Sequence, residues 1–214
     1  MSLLSRLFLL IFVLCCGLLL FEINSLNEEY ATLVEEGVLE LKLIQNTSFN
    51  SNRRHILFYN IIHEKDPQHQ VEYAQQWAAL KVTNTKLYDS ILKMNRDSYA
   101  KQKLVQQAQS ARKTYNDFCE SKVLLALRGE NQDTPGNLKT CDSLFANYQQ
   151  QINNLFVSGH ETISTSNSTL TEKASRVTKR TLFLTLLPVI SIAIVIAIVY
   201  LLLRFYFSEN RSYY

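Results

Sequence analysis

Seven residues in the middle of the chain are of types that hold small anions: Arg53, Arg54, Trp77, Tyr115, Asn116, Tyr148 and Gln149. A guanidinium offers its donors as a planar fork that matches a carboxylate, amide side chains add neutral donors, and indole or phenol rings form a pocket wall. The competing reading of the same residues is that both arginines are solvated and the aromatics fill a core. His63, Glu64, Asp66 and His69 crowd a second polar patch. Their spacing matches no established ligand pattern and a polar turn contains such residues anyway, so no metal and no cofactor are expected. The sequence displays no nucleophile beside a base, no paired acids and no phosphate-cradling glycine loop, so no catalytic residues and no enzymatic activity are expected.

Whether these residues meet depends on the elements that carry them. The 214 residues are 47% hydrophobic with only 5 Gly and 3 Pro, too few breakers for a turn-rich sandwich or barrel. With 22 Lys+Arg against 19 Asp+Glu the net charge is +3, and no basic block is present to neutralise a run of phosphates, so nucleic acid is not an expected partner.

The apolar residues gather at the two ends. Residues 181–203 carry no charge and are long enough as a helix to cross a bilayer, with Pro188 as a kink and Arg204, Phe205, Tyr206 and Phe207 as an interfacial anchor. The uncharged run at residues 7–21 is shorter and also fits the apolar region of a signal peptide, with Ile23-Asn24-Ser25 as a tolerable cleavage site. Leu3 and Leu4 extend it if Arg6 snorkels, and no A-x-A pattern follows, so an uncleaved signal anchor over residues 1–22 is expected. Cys15 and Cys16 read as apolar filler within it. Arg6 precedes this span while Glu22, Glu28 and Glu29 follow it, which puts the N-terminus in the cytoplasm; Lys179 and Arg180 oppose that assignment locally. Residues 23–180 then face outward, and residues 204–214 form a cytoplasmic tail expected to be too short to fold.

The outward segment reads as helix throughout. A first helix over about residues 24–63 carries the apolar stripe Leu26, Tyr30, Leu33, Gly37, Leu41, Ile44, Phe58 and Ile62. Asp66-Pro67 caps and opens a second that ends near Met94, Asp97 or Ser98 caps a third, and Gly129 stops it near Arg128. Thr134-Pro135 opens a fourth that continues into the second span. The expected fold is therefore all-α: an antiparallel up-down four-helix bundle, extracytoplasmic, rooted by N- and C-terminal transmembrane helices. The turns at residues 63–67 and 129–135 fall at the far tip. Counting down from it brings the seven candidate residues to one height, and sets Cys119 and Cys141 about 10–14 Å below the tip. In an oxidising compartment those two cysteines are expected to form a disulfide worth about 3 kcal/mol, with two free buried thiols as the alternative.

The segment NRRHILFYNIIHEKDPQHQVEYAQQWAALKVTNTKLYDSIL, residues 52–92, sets paired arginines, an apolar stretch, an acidic-Pro turn and a second amphipathic helix in order. With its flanking spans, the chain over residues 1–207 resembles the extracytoplasmic four-helix-bundle sensor domain of bacterial methyl-accepting chemotaxis receptors and related sensor kinases. The resemblance implies a bacterial inner-membrane protein, largely periplasmic, that forms a homodimer. It also implies a small anionic or amino-acid ligand held by arginines at the dimer interface, for which Arg53 and Arg54 are the matching positions. Receptors of that family continue into HAMP and signalling helices, and this sequence holds no such segment. Two readings follow. In the first, the protein is a non-enzymatic accessory subunit that acts within a larger membrane complex; in the alternative, it is a chemoreceptor-like sensor that signals through a separate membrane partner. Gly17 beside Cys15 and Cys16 suits close helix packing in the membrane for either. Asn46-Thr47-Ser48 and Asn167-Ser168-Thr169 are glycosylation sequons only in a eukaryotic source.

Overall fold

The computed structural model describes residues 3–130 and 132–209, with the side chains of residues 3–9, 11, 185, 187–189, 191, 192, 195 and 205–209 outside the description. Every regular element among the described residues is helical: α1 (Leu3–Thr32), α2 (Val38–His63), α3 (Pro67–Met94), α4 (Tyr99–Leu127) and α5 (Pro135–Glu209), with a π-helical turn at Leu33–Gly37 between the first two. The fold class is all-α.

The helix boundaries follow local chemistry. Asp66 stands before α3 and its carboxylate accepts the Gln68 N–H at 2.9 Å, while Pro67 takes the first helical position, where an N–H would be orphaned. Of the two residues expected to cap α4 it is Ser98 that does so, through the Lys101 N–H. At the other end of α4, Gly129 adopts φ 81°, a conformation that suits a residue without Cβ. Its N–H donates to the Ala126 carbonyl and the Glu130 N–H to the Leu125 carbonyl, the paired bonds of a Schellman stop. Thr134 Oγ1 accepts the Asn137 N–H as α5 begins.

The expected single first helix is interrupted. Along the expected apolar stripe Ile44, Phe58 and Ile62 are buried, Leu26, Leu33, Gly37 and Leu41 are half-buried, and Tyr30 is exposed. Gly37 and Gly159 mark where α5 comes close to this chain segment. A Cβ on Gly37 would lie 2.8 Å from Ile163 Cγ1, and one on Gly159 would lie 3.0 Å from Leu41 Cδ2.

The chain divides into two compact units, residues 32–166 and residues 1–31 with 167–214. In the first, α2, α3, α4 and the opening stretch of α5 surround one core, and each pairing is antiparallel. Between α2 and α3, Arg54 meets Trp77, Ser51 meets Asn84 and Glu40 meets Asn95. Between α3 and α4, Lys81 meets Glu120 and Thr85 meets Arg112. Cys119 and Tyr115 of α4 meet Cys141 and Tyr148 of α5, and α5 returns to α2 through Tyr59–Asp142, Ser51–Tyr148 and Ser48–Gln149. Ile44, Phe58, Ile61, Ile91, Val105 and Leu155 fill the centre. His63 at the end of α2 reaches Asp133 before α5, so the two turns expected at one end of the bundle do lie together.

In the second unit, α1 and the later part of α5 are tied by Arg180–Glu22 at 2.7 Å and Lys173–Glu29 at 2.6 Å. Cys15 and Cys16 are half-buried and free. A Cβ on Gly17 would meet nothing within 4 Å among the described residues of this chain. Among the described residues no helix is long and apolar enough to cross a membrane. Both expected spans include side chains outside the description, and so do the Pro188 kink and the Phe205, Tyr206 and Phe207 anchor.

The end of the bundle opposite His63 is closed by a buried polar knot. Glu40 accepts from Asn95 Nδ2 at 2.8 Å and from Lys101 Nζ at 2.7 Å, which fixes the α3–α4 turn to α2. Glu40→Ala strands both donors in a site that water barely reaches, so it should lower unfolding stability by about 2–4 kcal/mol, read by chemical denaturation of the full chain. A change below about 0.5 kcal/mol would show that the knot is dispensable.

Candidate functional site

The candidate residues separate when placed in the fold. Arg53 points to solvent, but Arg54, one position on, turns inward and is 3% exposed. Its Nε donates to the Trp77 carbonyl at 3.1 Å, its Nη1 donates to Asn116 Oδ1, and its guanidinium carbon lies 3.9 Å from the Trp77 ring centroid. Three helices thus converge on one cation. Among the described residues Arg54 forms no ion pair, and burial pulls its pKa below the ordinary arginine value against the opposing influence of Tyr115, Cys119 and Glu120. Stacking on the indole and neutral hydrogen bonds stand in for a counter-charge.

Tyr115 and Tyr148 are fully buried and stacked 6.1 Å apart. The Tyr148 hydroxyl accepts from Ser51 at 2.9 Å, and Ser51 also accepts from Asn84 Nδ2 at 3.1 Å, so a polar seam runs through the core beside Arg54. Burial raises the pKa values of Tyr88, Tyr115 and Tyr148, which therefore stay neutral hydrogen-bonding groups. Gln149 lies off this centre, with Oε1 accepting from Ser48 and Nε2 buried without a partner. It lines an open groove of ≈ 350 Å³ between α2 and α5 with Ile44, Gln45 and Phe156. The structure therefore joins Arg54, Trp77, Tyr115, Asn116 and Tyr148 in the interior, and sets Arg53 and Gln149 apart from them. No dimer interface is needed to bring the five together.

The expected disulfide is not formed. Cys119 and Cys141 do face each other across α4 and α5, but as free thiols with their sulfurs 3.5 Å apart, well beyond the bonded distance of about 2.05 Å.

A group not foreseen from the sequence surrounds these thiols. His55 Nδ1 lies 3.9 Å from Cys141 Sγ and 3.2 Å from the Tyr115 hydroxyl, while Nε2 lies 3.2 Å from Asp142 Oδ1. The imidazole stacks on Phe145 with ring centroids 3.9 Å apart, and the Tyr59 hydroxyl donates to the same Asp142 oxygen at 2.6 Å. With Asp142 holding the Nε2 proton, Nδ1 is left as the acceptor. Burial lowers the His55 pKa, and Asp142 works against that. The hydrogen bond to Cys119 and burial push the Cys141 thiol well up, so it is held protonated. Residues 55, 119 and 141 are too far apart in the chain for any local motif to have announced a base beside a thiol. The sequence had suggested none.

At the bundle tip, Glu64 accepts the N–H groups of Lys65 and Asp66, and His63 and His69 lie against separate aspartates. Among the described residues no group of three or more His, Cys, Asp or Glu is arranged to hold a metal ion. No family model matches the chain, and no curated protein matches it either.

The two neighbouring arginines should separate cleanly on mutation. Arg54→Ala removes a buried stack, leaves Asn116 Oδ1 without its Arg54 donor and strips the Trp77 carbonyl of its second one, an expected loss of about 2–4 kcal/mol in denaturant unfolding. Arg53→Ala should stay within about 0.5 kcal/mol of the parent. Equal effects would contradict the inward assignment of Arg54.

Proposed function

We propose that the protein is a non-enzymatic, membrane-anchored helical module that works as a partner-dependent accessory subunit of a larger membrane complex. The observation that carries this reading is the exposure of the apolar residues on α1 and on the later part of α5. Leu10, Val13, Leu18, Leu20 and Phe21 on the first, and Phe183, Ile190, Ile196, Leu201 and Leu202 on the second, are each more than half exposed, with Phe21 at 73%. Apolar surface on that scale is stable only against lipid or another protein. Read across their whole length in the sequence, residues 7–21 and 181–203 suit lipid, and a membrane location agrees with both.

Charge placement supports the same reading. Glu22 and Arg180 adjoin the apolar stretches and neutralise each other, as do Glu29 and Lys173 further along. The orientation retained here, with both termini in the cytoplasm and residues 23–180 outside, rests on Arg6 before the first span, which usually dominates, while Lys179 and Arg180 oppose it locally. The bundle arrangement agrees with the resemblance to chemoreceptor sensor domains, which we retain as a proposal together with a bacterial inner-membrane setting.

The interior argues for the accessory role over ligand sensing. The arginine fork that would grasp a carboxylate is spent on Trp77 and Asn116. The sensor reading has one observation in its favour: Arg54 Nη2, Trp77 Nε1 and Gln149 Nε2 are buried donors without partners, and a small anion or amino acid would supply acceptors.

Purification of tagged full-length protein from its native membrane in mild detergent, followed by native mass spectrometry, tests the accessory role. The expected result is a second membrane polypeptide at fixed stoichiometry, lost when residues 7–21 and 181–203 are replaced by unrelated spans. Recovery of the chain alone, as monomer or homodimer, would contradict it.

A further inference from the structure

The cluster around His55 has a chemistry that neither reading above uses. We propose that Cys119 and Cys141 are a reversible dithiol/disulfide pair for which His55, oriented by Asp142, is the proton acceptor. The inference rests on residues 32–166 alone and does not depend on membrane anchoring.

The two sulfurs need to approach by only about 1.5 Å to bond, a change within reach of side-chain rotation on the two facing helices. Nucleophilic attack requires a thiolate. Cys141 is fully buried and its neighbour Cys119 holds its proton in place, so the proton must leave to a local acceptor. His55 Nδ1 is that acceptor, at 3.9 Å, with the Tyr115 hydroxyl beside it. Nε2 faces Asp142, which fixes the tautomer and stabilises the imidazolium that forms. The titratable groups around the imidazole are Tyr115 and Cys119 from α4, Cys141 and Asp142 from α5, and Tyr59 on its own helix. Burial depresses the His55 pKa, which keeps the ring unprotonated and ready near neutral pH.

The step balances with a disulfide as oxidant. Cys141 thiolate attacks one sulfur of R–S–S–R, which forms a mixed disulfide and releases RS⁻; Cys119 then attacks the Cys141 sulfur and expels the second RS⁻. His55 returns the Cys141 proton to one leaving thiolate and the Cys119 proton goes to the other, so two thiols are oxidised and one disulfide is reduced to two RSH. Cys119 lies about three helical turns before the Gly129 stop and Cys141 about two turns into α5, and transient opening of that end would admit the oxidant. Closure would lock α4 to α5.

The test treats full-length protein in detergent with bis(2-hydroxyethyl) disulfide, blocks remaining thiols with N-ethylmaleimide and maps the products by peptide mass spectrometry. Cys119 and Cys141 should become linked while Cys15 and Cys16 take the label, and dithiothreitol should restore both thiols without denaturant. The closing rate, followed between about pH 5 and 9, should rise through the His55 titration, because only the neutral ring accepts a proton. His55→Gln should slow closure about a hundredfold near neutral pH and remove that inflection. Asp142→Asn changes a side chain that is 57% exposed, so the fold is kept; it should slow closure and move the inflection to lower pH. Two thiols that stay fully alkylatable in excess oxidant would overturn the proposal. So would a bond that resists dithiothreitol in the folded protein, or an Asp142→Asn variant with unchanged rate and pH profile, whether or not His55→Gln folds.

Discussion

A guanidinium in the middle of an apolar core is the constraint around which the rest of the bundle is arranged. An unpaired buried charge is costly, and Arg54 meets that cost without a carboxylate by drawing on three helices at once: its own α2, the Trp77 ring and carbonyl on α3, and Asn116 on α4. Those contacts fix the rotation of α3 and α4 about their axes. Once they are fixed, Tyr115, one residue before Asn116, must enter the core toward Tyr148 and His55, and the polar seam through Ser51 and Asn84 follows on the other side.

The same constraint bears on function. A sensor pocket needs donors whose partners are missing until the ligand arrives, and most of Arg54 is already committed. The accessory role proposed above looks instead to the surface, where apolar residues of α1 and the later part of α5 are exposed and the Glu22–Arg180 and Glu29–Lys173 pairs neutralise the charge next to them. Within residues 32–166 the His55 cluster sits beside the Arg54 layer with Tyr115 common to both, so a change at the thiols would be felt by the core's own cation through one side chain.

Much of the fold was legible because the punctuation is strong. Asp66-Pro67, Ser98, Gly129 and Thr134-Pro135 each act through one or two hydrogen bonds or a fixed φ, and each stands where the sequence put it. The meeting of Arg54, Trp77 and Asn116 was also legible, since straight antiparallel helices keep residues at equal height. The π turn at Leu33–Gly37 was not, because nothing in a 3.6-residue period marks one extra residue per turn. Helical rotation was equally hidden. Adjacent arginines look alike in sequence, yet one faces the core and the other faces solvent, and the difference is set by packing from α3 and α4. The base beside Cys141 was invisible for a similar reason: it comes from a helix more than eighty residues away in the chain.

The claim that the Arg54 layer takes no ligand is tested most directly by thermal unfolding of the full-length protein in detergent, alone and with millimolar amino acids, di- and tricarboxylates and phosphate. A sealed layer gives a midpoint that does not move, since a ligand stabilises only what it binds. A saturable rise in midpoint that vanishes in Arg54→Lys would mean that the buried donors await a ligand, and would contradict the account.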